Sequence, residues 1–111
     1  MTRLLIVDDH ATFRSFARRL LVASGFEVVG EAAGGTDAVR LAAELGPDVV
    51  LLDVQLPDVD GFQVARSLRH LIVVLVSSRA RSDYGSLVDT CGARGFIGKA
   101  ELSGDALRRL L

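Results

Sequence analysis

The chain is poor in cysteine, proline and aromatic residues, and nearly free of net charge. Its 111 residues include one cysteine, two prolines and no tryptophan, and the formal net charge is −1. A lone Cys91 cannot close an internal disulfide, so the chain fits a reducing compartment such as the cytoplasm. A charge balance near zero gives no general attraction to nucleic acid or to an anionic membrane. No apolar run approaches the ~20 residues needed to cross a bilayer. The N-terminus enters an apolar run directly, without the charged-then-apolar leader of a secreted protein. Repeats, linkers and low-complexity tracts are also missing. What remains is a length suited to one domain, residues 1–111, with half of the residues hydrophobic and 24% charged, enough to bury a core.

Some of the acidic residues fall at telling positions. Leu4-Leu5-Ile6-Val7 runs straight into Asp8-Asp9-His10, and Val49-Val50-Leu51-Leu52 runs into Asp53. Short runs of Leu, Ile and Val read as buried strands of a parallel sheet. Carboxylates just past the C-terminal ends of such strands lie where open α/β sheets bind ligands. Three of them together call for a cation, and oxygen ligation suits Mg²⁺. One of the three could serve as a nucleophile toward a phosphoryl group.

Apolar runs alternate with helical periodicity along the chain. Strands are expected at Arg3–Val7, Phe26–Glu31, Asp48–Leu52, Ile72–Val76 and Phe96–Gly98. Phe13, Phe16, Ala17, Leu20 and Leu21 mark one face of a helix over His10–Ser24, stopped by Gly25. Ala38, Leu41, Ala42 and Leu45 mark a second, with Thr36 as its cap and Gly46-Pro47 as its end. A third helix carries Phe62, Ala65 and Leu68, with Asp60 as its cap. A weak fourth carries Leu87, Val88 and Cys91, and a fifth follows Ser103. Five β-α units imply a doubly wound parallel sheet with helices on both faces and strand order 2-1-3-4-5. The join between the third helix and the fourth strand, Ser67 to Val73, is unusually tight. Either that helix ends near Arg66 or a few residues are absent from the sequence, and the second is expected.

Five motifs in order complete the pattern: Asp8-Asp9, Asp53, Leu56-Pro57-x-x-Asp60-Gly61, Ser77 and Lys99. In this combination the chain resembles the response-regulator receiver domains of bacterial two-component systems, over Leu4 to about Leu110. The resemblance implies a flavodoxin-like (βα)5 domain that is a signalling switch rather than an enzyme acting on an external substrate. It implies that Asp53 accepts a phosphoryl group from a sensor histidine kinase. It gives Mg²⁺ to Asp9, Asp53 and the backbone carbonyl of Gln55, with Asp8 acting through water. Lys99 and Ser77 would contact the phosphoryl oxygens. Ser77 and Phe96 would be the switch pair, altering the face made by the fourth helix, fifth strand and fifth helix. A homodimer of the phosphorylated form, and DNA binding by an output domain outside this chain, complete the expectation.

Three departures and three rivals bear on that reading. Lys99 is followed by Ala100, where such domains usually carry proline; Ser77 stands for the more frequent threonine; Gln55 and Arg79 flank the site, where they would tune hydrolysis. A haloacid-dehalogenase-type phosphatase would want an acid at Gln55 and room for a cap. A flavodoxin-like cofactor binder would want a Ser/Thr/Gly loop in place of Asp8-Asp9-His10. A degenerate, phosphorylation-independent receiver is opposed by the full acid set with Ser77 and Lys99, while Ala100 leaves it room. His10 is expected to serve the start of the first helix, and His70 to be incidental.

Overall fold

A computed structural model describes residues 1–111. Five parallel strands form one sheet in the order β2-β1-β3-β4-β5: β1 Arg3–Val7, β2 Glu27–Ala32, β3 Val49–Asp53, β4 Ile72–Ser77 and β5 Gly95–Gly98. The helices are α1 Ala11–Ala23, α2 Gly35–Leu45, α3 Gly61–Ser67, α4 Leu87–Thr90 and α5 Gly104–Arg108. The expected doubly wound architecture is thus the observed one.

The sheet is covered on both faces, and its central strands are apolar on both. Leu5, Val7, Val50, Leu52, Val73 and Leu75 pack with α2, α3 and α4 in one cluster. Their alternates Leu4, Ile6, Val49, Leu51, Val74 and Val76 pack with α1 and α5 in another. Each buried Leu or Val is worth about 1.5–3 kcal/mol of hydrophobic stabilisation. Two faces filled this way hold the strand ends rigidly, and the strand ends carry the acids. Cys91 is buried in the first cluster, a small apolar filler.

The helix ends follow local chemistry, with one correction. Asp60 Oδ1 accepts from Phe62 N at 2.9 Å and caps α3, and Ser103 Oγ accepts from Ala106 N at 3.0 Å and caps α5. Gly25 and Gly46 take positive φ, 97° and 56°, after α1 and α2. Thr36 does not cap α2. The N-cap is Gly34, which has no side chain, and the free N–H groups of Gly35 and Thr36 are taken by Asp58, 22 and more residues away, at 2.9 and 3.0 Å.

The tight join closes without a gap. Helix α3 stops at Ser67, and Leu68–Leu71 make the connection, with Leu71 N bonded to Leu68 O at 2.8 Å. The helix thus ends one residue past Arg66, close to the early end that the tight join allows. The fourth helix is weaker than its apolar spacing implies. A 3₁₀ turn over Arg81–Tyr84 comes first, then Gly85 at φ 59°, then the single turn of α4.

Candidate functional site

The acids meet at one edge of the sheet because β1 and β3 are neighbours in register, Val7 opposite Leu52. Asp53 is the last residue of β3 and Asp8 directly follows β1, so their side chains share one rim. Asp53 is 3% exposed and Asp8 wholly buried, while Asp9 and His10 open to solvent. Ligand atoms of Asp8, Asp9, His10 and Asp53 all lie within 4.8 Å of one another.

Lys99 reaches this rim from the end of β5. Its Nζ lies 2.6 Å from Asp8 Oδ2 and 3.4 Å from Asp53 Oδ2. The aromatic face of Phe13 lies under the same ammonium, 4.4 Å from ring centre to Nζ. Burial alone would lower the Lys99 pKa. The Asp8 contact and the charges of Asp53 and Asp8 outweigh it and raise the pKa above its usual value. One ammonium thus serves two carboxylates.

That sharing leaves Asp53 under-compensated. Burial lifts its carboxyl from 3.8 to about 6; the Gln55 N–H pulls it back, the Asp8 charge pushes it up and the Lys99 charge pulls it down. Gln55 N donates to Asp53 Oδ1 at 3.1 Å. Asp8 Oδ1 accepts from His10 N at 2.7 Å, and Asp8 Oδ2 faces the Lys99 ammonium alone. Three carboxylates with one ammonium among them leave an excess of negative charge and oxygen donors that a hard divalent cation would satisfy. The residues therefore fit a metal ion.

The loop after β3 is fastened by backbone approach and by Asp58. A Cβ on Gly61 would come within 2.4 Å of Val54 O and 2.7 Å of Asp53 O, so only glycine lets α3 start this close to the acceptor strand. The tie from Asp58 to the first turn of α2 holds the same loop from the other side. The backbone N–H groups of Gly35 and Thr36, and then the Thr36 side chain, pull the Asp58 carboxyl down to about 2. Pro57 lies in the bend between these anchors.

Ser77 ends β4, opposite Gly98 in register, and is 1% exposed. Its Oγ accepts from Arg79 N at 3.0 Å and lies 2.6 Å from Tyr84 Oη. Phe96 is half-buried, its ring centre 6.1 Å from that of Tyr84. At Ala100 the chain makes a 3₁₀ turn, Lys99–Glu101.

Asp8, Asp9, Asp53 and Lys99 come together as expected, with the Gln55 backbone beside them. His10 does sit at the start of α1, as its N-cap, yet its Nδ1 also lies 3.2 Å from Asp8 Oδ1 and 3.1 Å from Asp9 Oδ1. His70 is remote from this cluster. Four contributors escape the sequence reading. Tyr84 and Asp58 act across the fold. Arg14 donates to the Asp8 carbonyl at 2.6 Å, while Arg14 and Arg18 grip Glu31 at 3.2 and 2.6 Å. For Arg14, its place in the first turn of α1, just after the acidic pair, is the signal the sequence offers.

Comparison with known proteins agrees with this geometry. The response regulator receiver domain family matches residues 4–110. A Pseudomonas aeruginosa protein is 37% identical over 105 residues, covering 91% of this chain and 51% of its own. The DNA-binding transcriptional activator EvgA of Escherichia coli K12 is 36% identical over 101 residues, 87% of this chain and 50% of its own. The signal receiver domain of NarL from Mycobacterium tuberculosis superposes with a TM-score of 0.86 at 35% identity, over 98% of this chain and 95% of that one. The chain spans about half the length of the curated relatives it matches. It belongs to the response regulator receiver domain family, the CheY-like modules of two-component systems.

Proposed function

We propose that this domain is a phosphorylation-controlled switch in which Asp53 takes a phosphoryl group from a sensor histidine kinase. The observation that carries the reading is the Asp53 carboxylate itself: buried at the end of β3, 3.4 Å from Lys99, and beside two further acids. Its proton is largely gone at neutral pH despite burial, so the carboxylate is available to attack. In the transfer, a carboxylate oxygen forms a bond to phosphorus as the P–N bond to the donor imidazole breaks. The electron pair leaves on that nitrogen, and the product is a mixed carboxylic-phosphoric anhydride.

Asp9, Asp53 and the Gln55 carbonyl would hold Mg²⁺, with Asp8 acting through water. The ion supplies charge neutralisation between two anionic reactants. Lys99 places a point charge where phosphoryl oxygens develop negative charge. Ser77 offers a hydroxyl to those oxygens once they are present. Its movement, with Phe96, would alter the α4-β5-α5 face and bias a two-state element. That face would control an output domain, and the description of EvgA as a DNA-binding activator supports transcription control. DNA contact would belong to that output domain, in keeping with the net charge of −1 here. Pairing of two phosphorylated copies and action in the cytoplasm complete the proposal.

Intact mass after incubation with acetyl phosphate tests it. A phosphoryl adduct is expected on the wild type with Mg²⁺, and none without Mg²⁺ or on Asp53→Asn. An equal adduct on Asp53→Asn would refute the assignment.

A further inference from the structure

Ser77 is held from an unexpected side. Along β4, Val73 and Leu75 point into the cluster covered by α2, α3 and α4, and Ser77 continues that alternation. Its neighbour on that side is Tyr84, the one tyrosine of the chain. Tyr84 closes the 3₁₀ turn Arg81–Tyr84, its ring edge-on to Phe62 at 5.5 Å and tilted on Phe96 at 6.1 Å. Two aromatic neighbours fix the ring, and the fixed ring aims its hydroxyl at Ser77 Oγ, 2.6 Å away. Phe96 has no hydroxyl, so Tyr84 alone of these aromatics can bond Ser77.

The position of one hydroxyl makes this contact matter. Either hydroxyl of the Ser77–Tyr84 pair can be the donor, and Ser77 Oγ also accepts from Arg79 N. A phosphoryl oxygen only accepts, so Ser77 must donate to it and must carry its Oγ toward the acceptor site to do so. Asp53 follows Val49 and Leu51, whose side chains belong to the opposite cluster. A Ser77 that turns toward Asp53 therefore leaves Tyr84.

We propose that Tyr84 is a positioning residue that latches Ser77 in the resting state, and that phosphorylation must break the Ser77–Tyr84 bond. This rests on the phosphoacceptor reading of Asp53. Release of the phenol frees the 3₁₀ turn, which leads through Gly85 into α4. Because the Tyr84 ring also touches Phe96, the movements of α4 and of Phe96 become one event. The latch opposes activation, so its removal favours the phosphorylated conformation.

The test is a double-mutant cycle with beryllofluoride and Mg²⁺ as the phosphoryl mimic, read by calorimetry on wild type, Tyr84→Phe, Ser77→Ala and the double variant. Tyr84→Phe keeps the ring and its packing. It is expected to bind beryllofluoride roughly two- to tenfold more tightly than wild type, the worth of one net hydrogen bond. In the Ser77→Ala background the same change is expected to do nothing. With no tryptophan present, tyrosine emission reports on Tyr84 alone. It is expected to change on beryllofluoride binding in wild type and to stay constant in Ser77→Ala. Equal or weaker binding by Tyr84→Phe, or tightening that persists without Ser77, would overturn the latch and leave the phosphoacceptor reading standing. Failure of the wild type to bind beryllofluoride at all would overturn both.

Discussion

Replacing Asp53 by asparagine should make the metal-free protein more stable, not less. The folded protein holds the Asp53 proton up to about pH 6, against an ordinary value of 3.8. The folded-state value is the higher one. Stability from this group is therefore complete below pH 3.8 and is lost as pH rises through about 6. At about 1.4 kcal/mol per pH step, ionised Asp53 costs the fold about 3 kcal/mol at pH 7. Asparagine keeps the shape and an oxygen for the Gln55 N–H, and removes the charge. In a domain of this size ~3 kcal/mol corresponds to a melting temperature higher by about 10 °C. The assay is thermal unfolding of both proteins in chelator at pH 7 and pH 5, then in Mg²⁺. The gap should shrink to about half at pH 5, where the wild type has recovered part of its proton. In Mg²⁺ the wild type should gain more than Asp53→Asn, which has lost a charged ligand. An Asp53→Asn protein that melts below the wild type in chelator at pH 7 would refute the claim that buried charge is strained at this rim.

Two further substitutions test the loop behind the acceptor. Gly61→Ala should cost about 3 kcal/mol or more, because its methyl meets the Val54 and Asp53 carbonyls, and should also weaken Mg²⁺ binding measured by calorimetry. Asp58→Ala should lower the melting temperature at neutral pH. The folded Asp58 carboxyl is depressed to about 2, so its contribution is present above about pH 4 and fades as pH falls toward 2. Melting curves of wild type and Asp58→Ala should therefore converge in acid, and a gap that stays constant down to pH 2 would contradict the capping role.

The sheet was legible because strands buried on both faces read as unbroken apolar runs. Arg3–Val7 matches its expected bounds; β4 and β5 differ by one residue at one end, and β2 and β3 by one residue at both. The acids were legible because they follow those runs directly. The helices on the α2–α4 face were harder. The apolar spacing of Leu87, Val88 and Cys91 is satisfied by a single helical turn, since Gly85 interrupts what comes before it. The cap of α2 was misassigned to Thr36 because Asp58, its true source, is a neighbour in space and not in sequence. Tyr84 gave no local signal, because its meaning lies in a hydroxyl seven residues back on the preceding strand. Glycine is needed at 61 because of the nearness of two carbonyls rather than a left-handed φ. Interactions within an element, or directly after it, can be read from the chain; those that cross between loops need the fold.

The central claim is that Asp53, and no other acid at this rim, becomes an acyl phosphate. Borohydride reduction after acetyl phosphate and Mg²⁺ treatment tests it most directly, since an aspartyl phosphate is reduced to homoserine while free aspartate is not. Peptide mass mapping should find homoserine at position 53 alone, with Asp8, Asp9 and Asp60 unchanged. Homoserine at any of those three, or none anywhere in a protein that carries a phosphoryl adduct, would contradict the account.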